Sequence, residues 1–291
     1  LKIKFCSIQG DDILSLIVLE ILLISVVAGI AGSILGLGGG TVITPALTLI
    51  FGIDIRYAIG ASIISVIATS SGAAIAYVRD EMTNIRVAMF LEIATTVGAI
   101  TGAFLGGIIN ANYLYVLFGL LLLYSAFAMF KNGKTELPDN VIEHPLAQKL
   151  KLNGQYYDDV LKQPVDYKVA NVPSGFGVMY GAGIISGLLG IGSGSFKVMA
   201  MDLFMKLPMK ISSATSNFMM GVTGAASAGV FFLRGDIDPK IAGPVALGVL
   251  AGATIGARIM KRMKNKTIRK IFIPFLVYIA LQMMYKGVIA L

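Results

Sequence analysis

The sequence predicts an all-α polytopic membrane protein made of two homologous, inverted repeats, each with four to five membrane segments and a helix broken at a glycine-rich motif. Three observations predict it. Hydrophobic residues form 56% of the 291-residue chain and charged residues 14%, with a mean hydropathy of +0.81, whereas soluble domains carry about 25% charge. Stretches of about 20 residues almost free of charge recur, each long enough to cross about 30 Å of hydrocarbon at about 1.5 Å per residue. Finally, the run Gly36-Leu37-Gly38-Gly39-Gly40 returns as Gly190-Ile191-Gly192-Ser193-Gly194, an offset of 154 positions (192 minus 38).

That offset aligns the two halves without a gap over roughly seventy-five residues, the kind of internal period that marks a duplication. Ala28-Gly29-Ile30 meets Ala182-Gly183-Ile184, Ser62 meets Ser216, Thr69 meets Thr223, and Gly98-Ala99-x-x-Gly102-Ala103 meets Gly252-Ala253-x-x-Gly256-Ala257. The expected organisation is a first transmembrane repeat over 1–131, a polar water-side linker over 132–172, and a second transmembrane repeat over 173–291, with the copies themselves covering 13–131 and 173–290.

In chain order the segments read as 13–35, a short 41–52, 57–78, 87–109 and 113–130, then 173–190, a short 195–206, 211–233, 240–260 and 270–290. Alternating segments of about 10 residues, which a transmembrane β-barrel needs, are absent. No small-residue cleavage site precedes the first span, so 13–35 is expected to be a retained helix. The linker contains Pro138, Pro145, Pro164 and mixed charges; it is expected to be a cytoplasmic loop with a short surface helix and a solvated His144. Its run Tyr156-Tyr157-Asp158-Asp159 reads as ordinary solvated loop, with a docking patch as the alternative. One cysteine, Cys6, excludes an intramolecular disulfide and a cysteine-based metal cluster.

Residues 258–270 hold Arg258, Lys261, Arg262, Lys264, Lys266, Arg269 and Lys270 and no acid, which places this loop in the cytoplasm by the positive-inside rule. The equivalent residues 105–113 carry no charge. Equivalent loops on opposite sides mean inverted copies, as in many secondary transporters, and inversion requires an odd number of crossings. Five per copy puts the linker inside and both termini outside. Lys2 and Lys4 pull the other way, toward an inside N-terminus, re-entrant short segments and four crossings. The net charge of +8 is mostly the basic loop beside anionic lipid and implies no nucleic-acid partner.

In hydrocarbon every backbone N–H and C=O must be paired, so an unwound stretch survives only inside protein or beside a wet cavity. Glycine in a helix interior costs about 1 kcal/mol relative to alanine. Close packing of small residues explains Gly98/Gly102 and Gly252/Gly256, both GxxxG pairs. It explains the triplet less well, because each break is followed by a hydroxyl, Thr41 or Ser195, at a helix N-cap position. A helix restarting there presents free N–H groups and about half a positive charge, an anion site without arginine; packing or a hinge is the competing reading.

The candidate anion-binding residues are therefore Gly38, Gly39, Gly40 and Thr41 in the first copy and Gly192, Ser193, Gly194 and Ser195 in the second. Ser62, Thr69, Ser216, Asn217 and Thr223 lie on the segments after the breaks and would shape the route, Ser62, Ser65 and Thr69 sharing one helix face; helix–helix hydrogen bonding is the alternative. Lys197, three residues past Gly194, either reinforces the attraction for an anion or snorkels to an interface or pairs with Asp202. Glu92 either carries a coupled proton, since burial raises a carboxyl pKa, or sits near the membrane interface. Neither a metal site nor a cofactor is expected.

The string GLGGGTVITPAL, Gly36 to Leu47, with its glycine triplet followed by Pro45 and Leu47, resembles the sulfite exporter TauE/SafE family, also called the four-toluene sulfonate uptake permease family. GLLGIGSGSF in the second copy is similar to its degenerate partner, with Lys197 and Met199 where the first copy has Ile43 and Pro45. The resemblance covers both membrane halves and excludes the linker. It implies a secondary transporter of sulfur-containing anions such as sulfite, thiosulfate or organosulfonates in the plasma membrane, working by alternating access without a prosthetic group. Homo-oligomerisation is left open. An anion channel would use the same breaks. A membrane-embedded enzyme would need a nucleophile–base pair or metal cluster, for which one histidine and one cysteine are poor material.

Overall fold

The computed structural model describes residues 10–35, 38–131, 141–158, 162–260 and 265–289. The first half runs α1 (Gly10–Leu35), a short α2 (Gly40–Pro45) that passes into a π turn (Ala46–Ile50), α3 (Ile55–Arg79), α4 (Ile85–Ile108) and α5 (Ala111–Lys131). The second half repeats the series as α7 (Val172–Leu189), α8 (Gly194–Met199) with its π turn (Ala200–Phe204), α9 (Met209–Leu233), α10 (Pro239–Met260) and α11 (Asn265–Ile289). Between them lie α6 (Pro145–Lys149) and a hairpin of β1 (Gly154–Asp158) and β2 (Gln163–Tyr167). Six of the described helices are long and apolar enough to cross a membrane: Ile17–Ile34, Ile55–Arg79, Ile85–Ile108, Val172–Leu189, Met209–Leu233 and Pro239–Ile259. This is a multi-pass helical membrane protein.

Local chemistry sets the ends of these helices. Asp54 caps α3 by accepting from the Arg56 amide at 2.9 Å, and Asn84 caps α4 by accepting from the Val87 amide at 3.0 Å. Each satisfies one of the orphan donors of a helix N-terminus. Pro173, in the first turn of α7, loses no hydrogen bond there. The π turns have no such local cause. Pro45 precedes the first and Met199 the second, yet Ala46 (φ −60°, ψ −48°) and Ala200 (φ −61°, ψ −44°) adopt the same backbone.

The halves pack reciprocally. α1 lies against α10 and its counterpart α7 against α4, while α3 faces α9 and α5 faces α11. Glycines allow the closest crossings. A Cβ on Gly98 or Gly102 of α4 would collide with the Tyr180 or Ile184 carbonyl of α7, and one on Gly252 or Gly256 of α10 would collide with the Val26 or Ile30 carbonyl of α1. The GxxxG pairs are thus helix-packing surfaces, as small residues in membrane bundles are expected to be.

The linker is more structured than a solvated loop. Tyr156 and Tyr157 lie on β1, where alternation turns them to opposite faces: Tyr156 is buried and Tyr157 exposed. Tyr156, with Ala147, Leu152 and Val169, joins a core made of Val87 and Leu91 from α4 and Met201 and Met205 from the second π region. Burial of the first tyrosine corrects the loop expectation. Asp159 lies outside the described residues, as do Cys6, Lys2, Lys4 and part of the basic loop (261–264). His144 is partly exposed and caps α6, its Nδ1 accepting from the Leu146 amide at 3.1 Å.

Candidate anion site at two meeting helix breaks

Both breaks bend the chain through left-handed backbone at equivalent positions, Gly38 (φ 76°) and Gly192 (φ 69°), a conformation that glycine adopts without steric cost. The next position differs. Gly39 is right-handed (φ −61°), whereas Ser193 is left-handed (φ 47°), which costs about 1–2 kcal/mol for a residue with a Cβ. Gly36 lies outside the described residues, and so does the side chain of Ser195; the Ser195 backbone belongs to α8.

The two breaks touch. A Cβ on Gly40 would lie 3.0 Å from the Gly190 carbonyl oxygen, and one on Gly38 would lie 3.6 Å from that of Ile191. Ser62 Oγ on α3 donates to the Gly190 carbonyl at 2.7 Å, so the first copy holds the second copy's break. Val66 of α3 and Met220 of α9, themselves equivalent at the repeat offset, each neighbour both Gly38 and Gly192. These two residues lie at the middle of 25-residue helices, each about 37 Å long at about 1.5 Å per residue.

Most of the hydroxyls expected to line a route are engaged in holding backbone. The Gly39 amide donates to Thr69 Oγ1 at 3.1 Å, Thr69 Oγ1 donates to the Ser65 carbonyl at 2.8 Å, and Thr41 Oγ1 donates to the Gly38 carbonyl at 3.2 Å. Ser216 Oγ donates to the Gly194 carbonyl at 3.3 Å. Asn217 Nδ2 donates to the Ser33 and Ser213 carbonyls, both at 3.1 Å, and Tyr77 also donates to Ser33, at 3.0 Å. The Ser33 carbonyl, an orphan acceptor in the last turn of α1, therefore has two donors just before the chain breaks. Unlike these, Ser186 Oγ, Ser193 Oγ, Ser213 Oγ, Asn217 Oδ1 and Glu92 Oε2 are buried and have no hydrogen-bond partner among the described residues. Buried polar atoms are rarely left so.

Beside the second break lies a buried charge pair. Lys197 is wholly buried and Glu92 only 7% exposed. Lys197 Nζ donates to Thr223 Oγ1 at 2.5 Å, and Thr223 Oγ1 donates to Glu92 Oε1 at 2.6 Å. Thr96 Oγ1 adds a second donor to the same carboxylate oxygen at 3.2 Å. Lys197 comes from α8, Thr223 from α9 and Glu92 from α4, so one hydroxyl joins three elements. The arrangement was readable in part from the repeat itself. Lys197 stands opposite Ile43 and Glu92 opposite Ala246, so neither charge has a counterpart, and each is the other's compensation. Sequence spacing alone also gave no sign of Thr96, Ser186 or Ser213.

A family model described as "Sulfite exporter TauE/SafE" matches residues 21–283. The chain is 27% identical to the "Probable membrane transporter protein YunE" of Bacillus subtilis (strain 168), over 94% of this chain and 99% of that protein. It is 24% identical to "Probable membrane transporter protein YdhB" of the same organism, over 86% and 93% of the two chains. It is 25% identical to "Probable membrane transporter protein MJ0441" of Methanocaldococcus jannaschii, over 86% and 88%. No solved structure matches the chain.

Proposed function

The chain belongs to the sulfite exporter TauE/SafE family, a family of membrane transporters rather than enzymes, and from that premise we propose that it moves a sulfur-containing anion across the plasma membrane by alternating access. Sulfite, thiosulfate and small organosulfonates are the candidate substrates. One observation carries the reading: the two glycine breaks meet each other between the midpoints of α3 and α9, with the buried cation Lys197 beside them. Irregular backbone at membrane depth is tolerated where it is enclosed by protein or lines a cavity, and broken helices meeting at the midplane are where secondary transporters hold substrate.

In this reading the anion lies against the second break. Lys197 supplies charge, and the unpartnered Ser186 and Ser193 hydroxyls donate to its oxygens. Backbone amides of Gly40, Thr41 and Gly192 to Ser195 complete the polar wall, the Gly38 amide being held by the Gly32 carbonyl at 3.4 Å and the Gly39 amide by Thr69. The copies are inverted in this proposal, a reading supported by the unequal charge of the equivalent residues 105–113 and 258–270; the reciprocal packing of α1 on α10 and α7 on α4 fits a two-fold relation between them. Motion consists of one bundle rocking against the other about this contact. The linker lies on the cytoplasmic side, in keeping with the basic residues 258–270 of the second copy.

Proteoliposome flux of radiolabelled sulfite, thiosulfate and methanesulfonate tests the proposal. Saturable uptake or exchange of at least one is expected. Saturable flux of none would remove the substrate class, and linear conductance would make the protein a channel. Gly39→Leu, which forces a side chain toward Thr69, Val249 and Ser65, is expected to abolish flux with expression intact.

A further inference from the structure

We propose that Glu92 is a proton-binding site and acts as a built-in substitute for the transported anion, so that each anion enters the site together with one proton. This rests on the transporter reading above and adds its coupling ion. Lys197 is an ammonium fully enclosed in protein. Such a charge persists only with a compensating one nearby. Glu92 is the carboxylate that acts on it electrostatically, through the single hydroxyl of Thr223.

Other charges near Glu92 are few. α4 itself adds Arg86, at its exposed N-terminal end, where it donates to the Lys151 carbonyl. α7 contributes Tyr180 as its one ionisable side chain, and that residue is exposed. α9 contributes Lys210, thirteen positions before Thr223. On the element of Lys197, Asp202 follows five positions later in the π turn. Lys197 is the one joined to Glu92 by way of Thr223.

Thr223 has one proton to give and two acceptors in reach, Glu92 Oε1 at 2.6 Å and the Met219 carbonyl at 3.0 Å. With Glu92 ionised, the hydroxyl serves Glu92 and the Lys197–Glu92 pair is neutral without substrate. Glu92 Oε2, buried and without a donor from the described residues, is where an incoming proton lands. A proton from water on the open side then makes Glu92 a neutral acid, the Thr223 hydroxyl is free to turn to Met219, and the charge on Lys197 is uncompensated until an anion arrives. The site is close to neutral in two states: empty with Glu92 ionised, or loaded with Glu92 protonated. The state with both anions present and the state with neither are disfavoured by burial, which obliges proton and anion to move together.

The test uses full-length protein in liposomes with methanesulfonate and ethanesulfonate, monoanions of strong acids that carry no proton themselves at neutral pH, and with the membrane potential clamped at zero. An inward gradient of one pH unit should drive about tenfold accumulation of label, the ratio that one coupled proton supports, with acidification of a trapped dye. Glu92→Gln should exchange external label for internal anion but bring accumulation down to unity and lose the dye signal. Wild-type exchange without accumulation or acidification overturns the coupling and leaves the transporter reading standing. Absence of exchange in the wild type overturns both. Accumulation by Glu92→Gln equal to wild type overturns the role of Glu92. Should Glu92→Gln not fold, the wild-type dye measurement and Thr223→Val, expected to lower accumulation while Thr223→Ser keeps it, decide the matter.

Discussion

Ser62 of the first copy donates a 2.7 Å hydrogen bond to the Gly190 carbonyl of the second copy's break. Both groups are buried, so the bond ties the two unwound segments to each other. Ser62→Ala leaves that carbonyl with one partner fewer in a place where water is scarce, an expected loss of about 1–3 kcal/mol. Thermal unfolding of the purified protein in detergent should register the loss, and flux should fall with it. Unchanged stability would mean that the carbonyl finds another donor.

Gly192 is restricted twice over, by a φ of 69° and by Val66 Cγ1, which would lie 2.6 Å from an added Cβ. Gly192→Ala is expected to cost about 2–4 kcal/mol from strain and overpacking together. Val66→Ala in the same chain should recover the packing share and leave the backbone share. A double-mutant cycle on unfolding midpoints reads the difference; purely additive effects would show that Val66 is not what crowds the break.

Much of this architecture is legible in the sequence because hydrocarbon permits few solutions. Apolar segments and glycine breaks are written directly in the residues, and the 154-position register (192 minus 38) carries α2 onto α8, both π turns and α3 onto α9 residue for residue. What escapes is set by tertiary contact. The π turns recur with Pro45 in one copy and Met199 in the other, so no local residue announces them. The strands of the linker follow from a hydrophobic site that α4 and Met205 offer to Tyr156, and a polar, proline-containing stretch does not advertise such a site. The partnership of Lys197 and Glu92 stands between these cases. Each was visible as a charge in an apolar segment, but only their shared lack of a repeat counterpart links residues 105 positions apart (197 minus 92).

Because Lys197 and Glu92 are buried and joined through Thr223, removing either alone should be worse than removing both. Lys197→Met strands an ionised carboxylate, and Glu92→Leu strands an ammonium; each is expected to cost about 3–5 kcal/mol. The double replacement is expected to cost clearly less than the sum, and unfolding of the three variants in detergent measures the discrepancy. Strict additivity would show that the two charges do not compensate each other.

Asn84 joins the linker to the membrane bundle. Its Oδ1 accepts from the Val87 amide at 3.0 Å, capping α4, while its Nδ2 donates to the Leu152 carbonyl at 2.7 Å and to the Tyr167 hydroxyl at 2.9 Å. Burial holds the Tyr167 hydroxyl above its ordinary pKa, with the hydrogen bond from Asn84 pulling the other way. The folded state thus favours the neutral phenol. Its contribution to docking is fully present below about pH 10, the ordinary tyrosine value, and is lost as pH rises through the higher folded value. Hydrogen exchange of β1 and β2 should therefore accelerate in alkali beyond the intrinsic chemical rate, and Tyr167→Phe should remove that part of the acceleration. Asn84→Ala loses the cap and both linker bonds at once, an expected cost of about 2–4 kcal/mol, and should expose the hairpin to exchange already at neutral pH. Protection equal to wild type in Asn84→Ala would show that the apolar contacts of Tyr156 and Leu152 hold the linker by themselves.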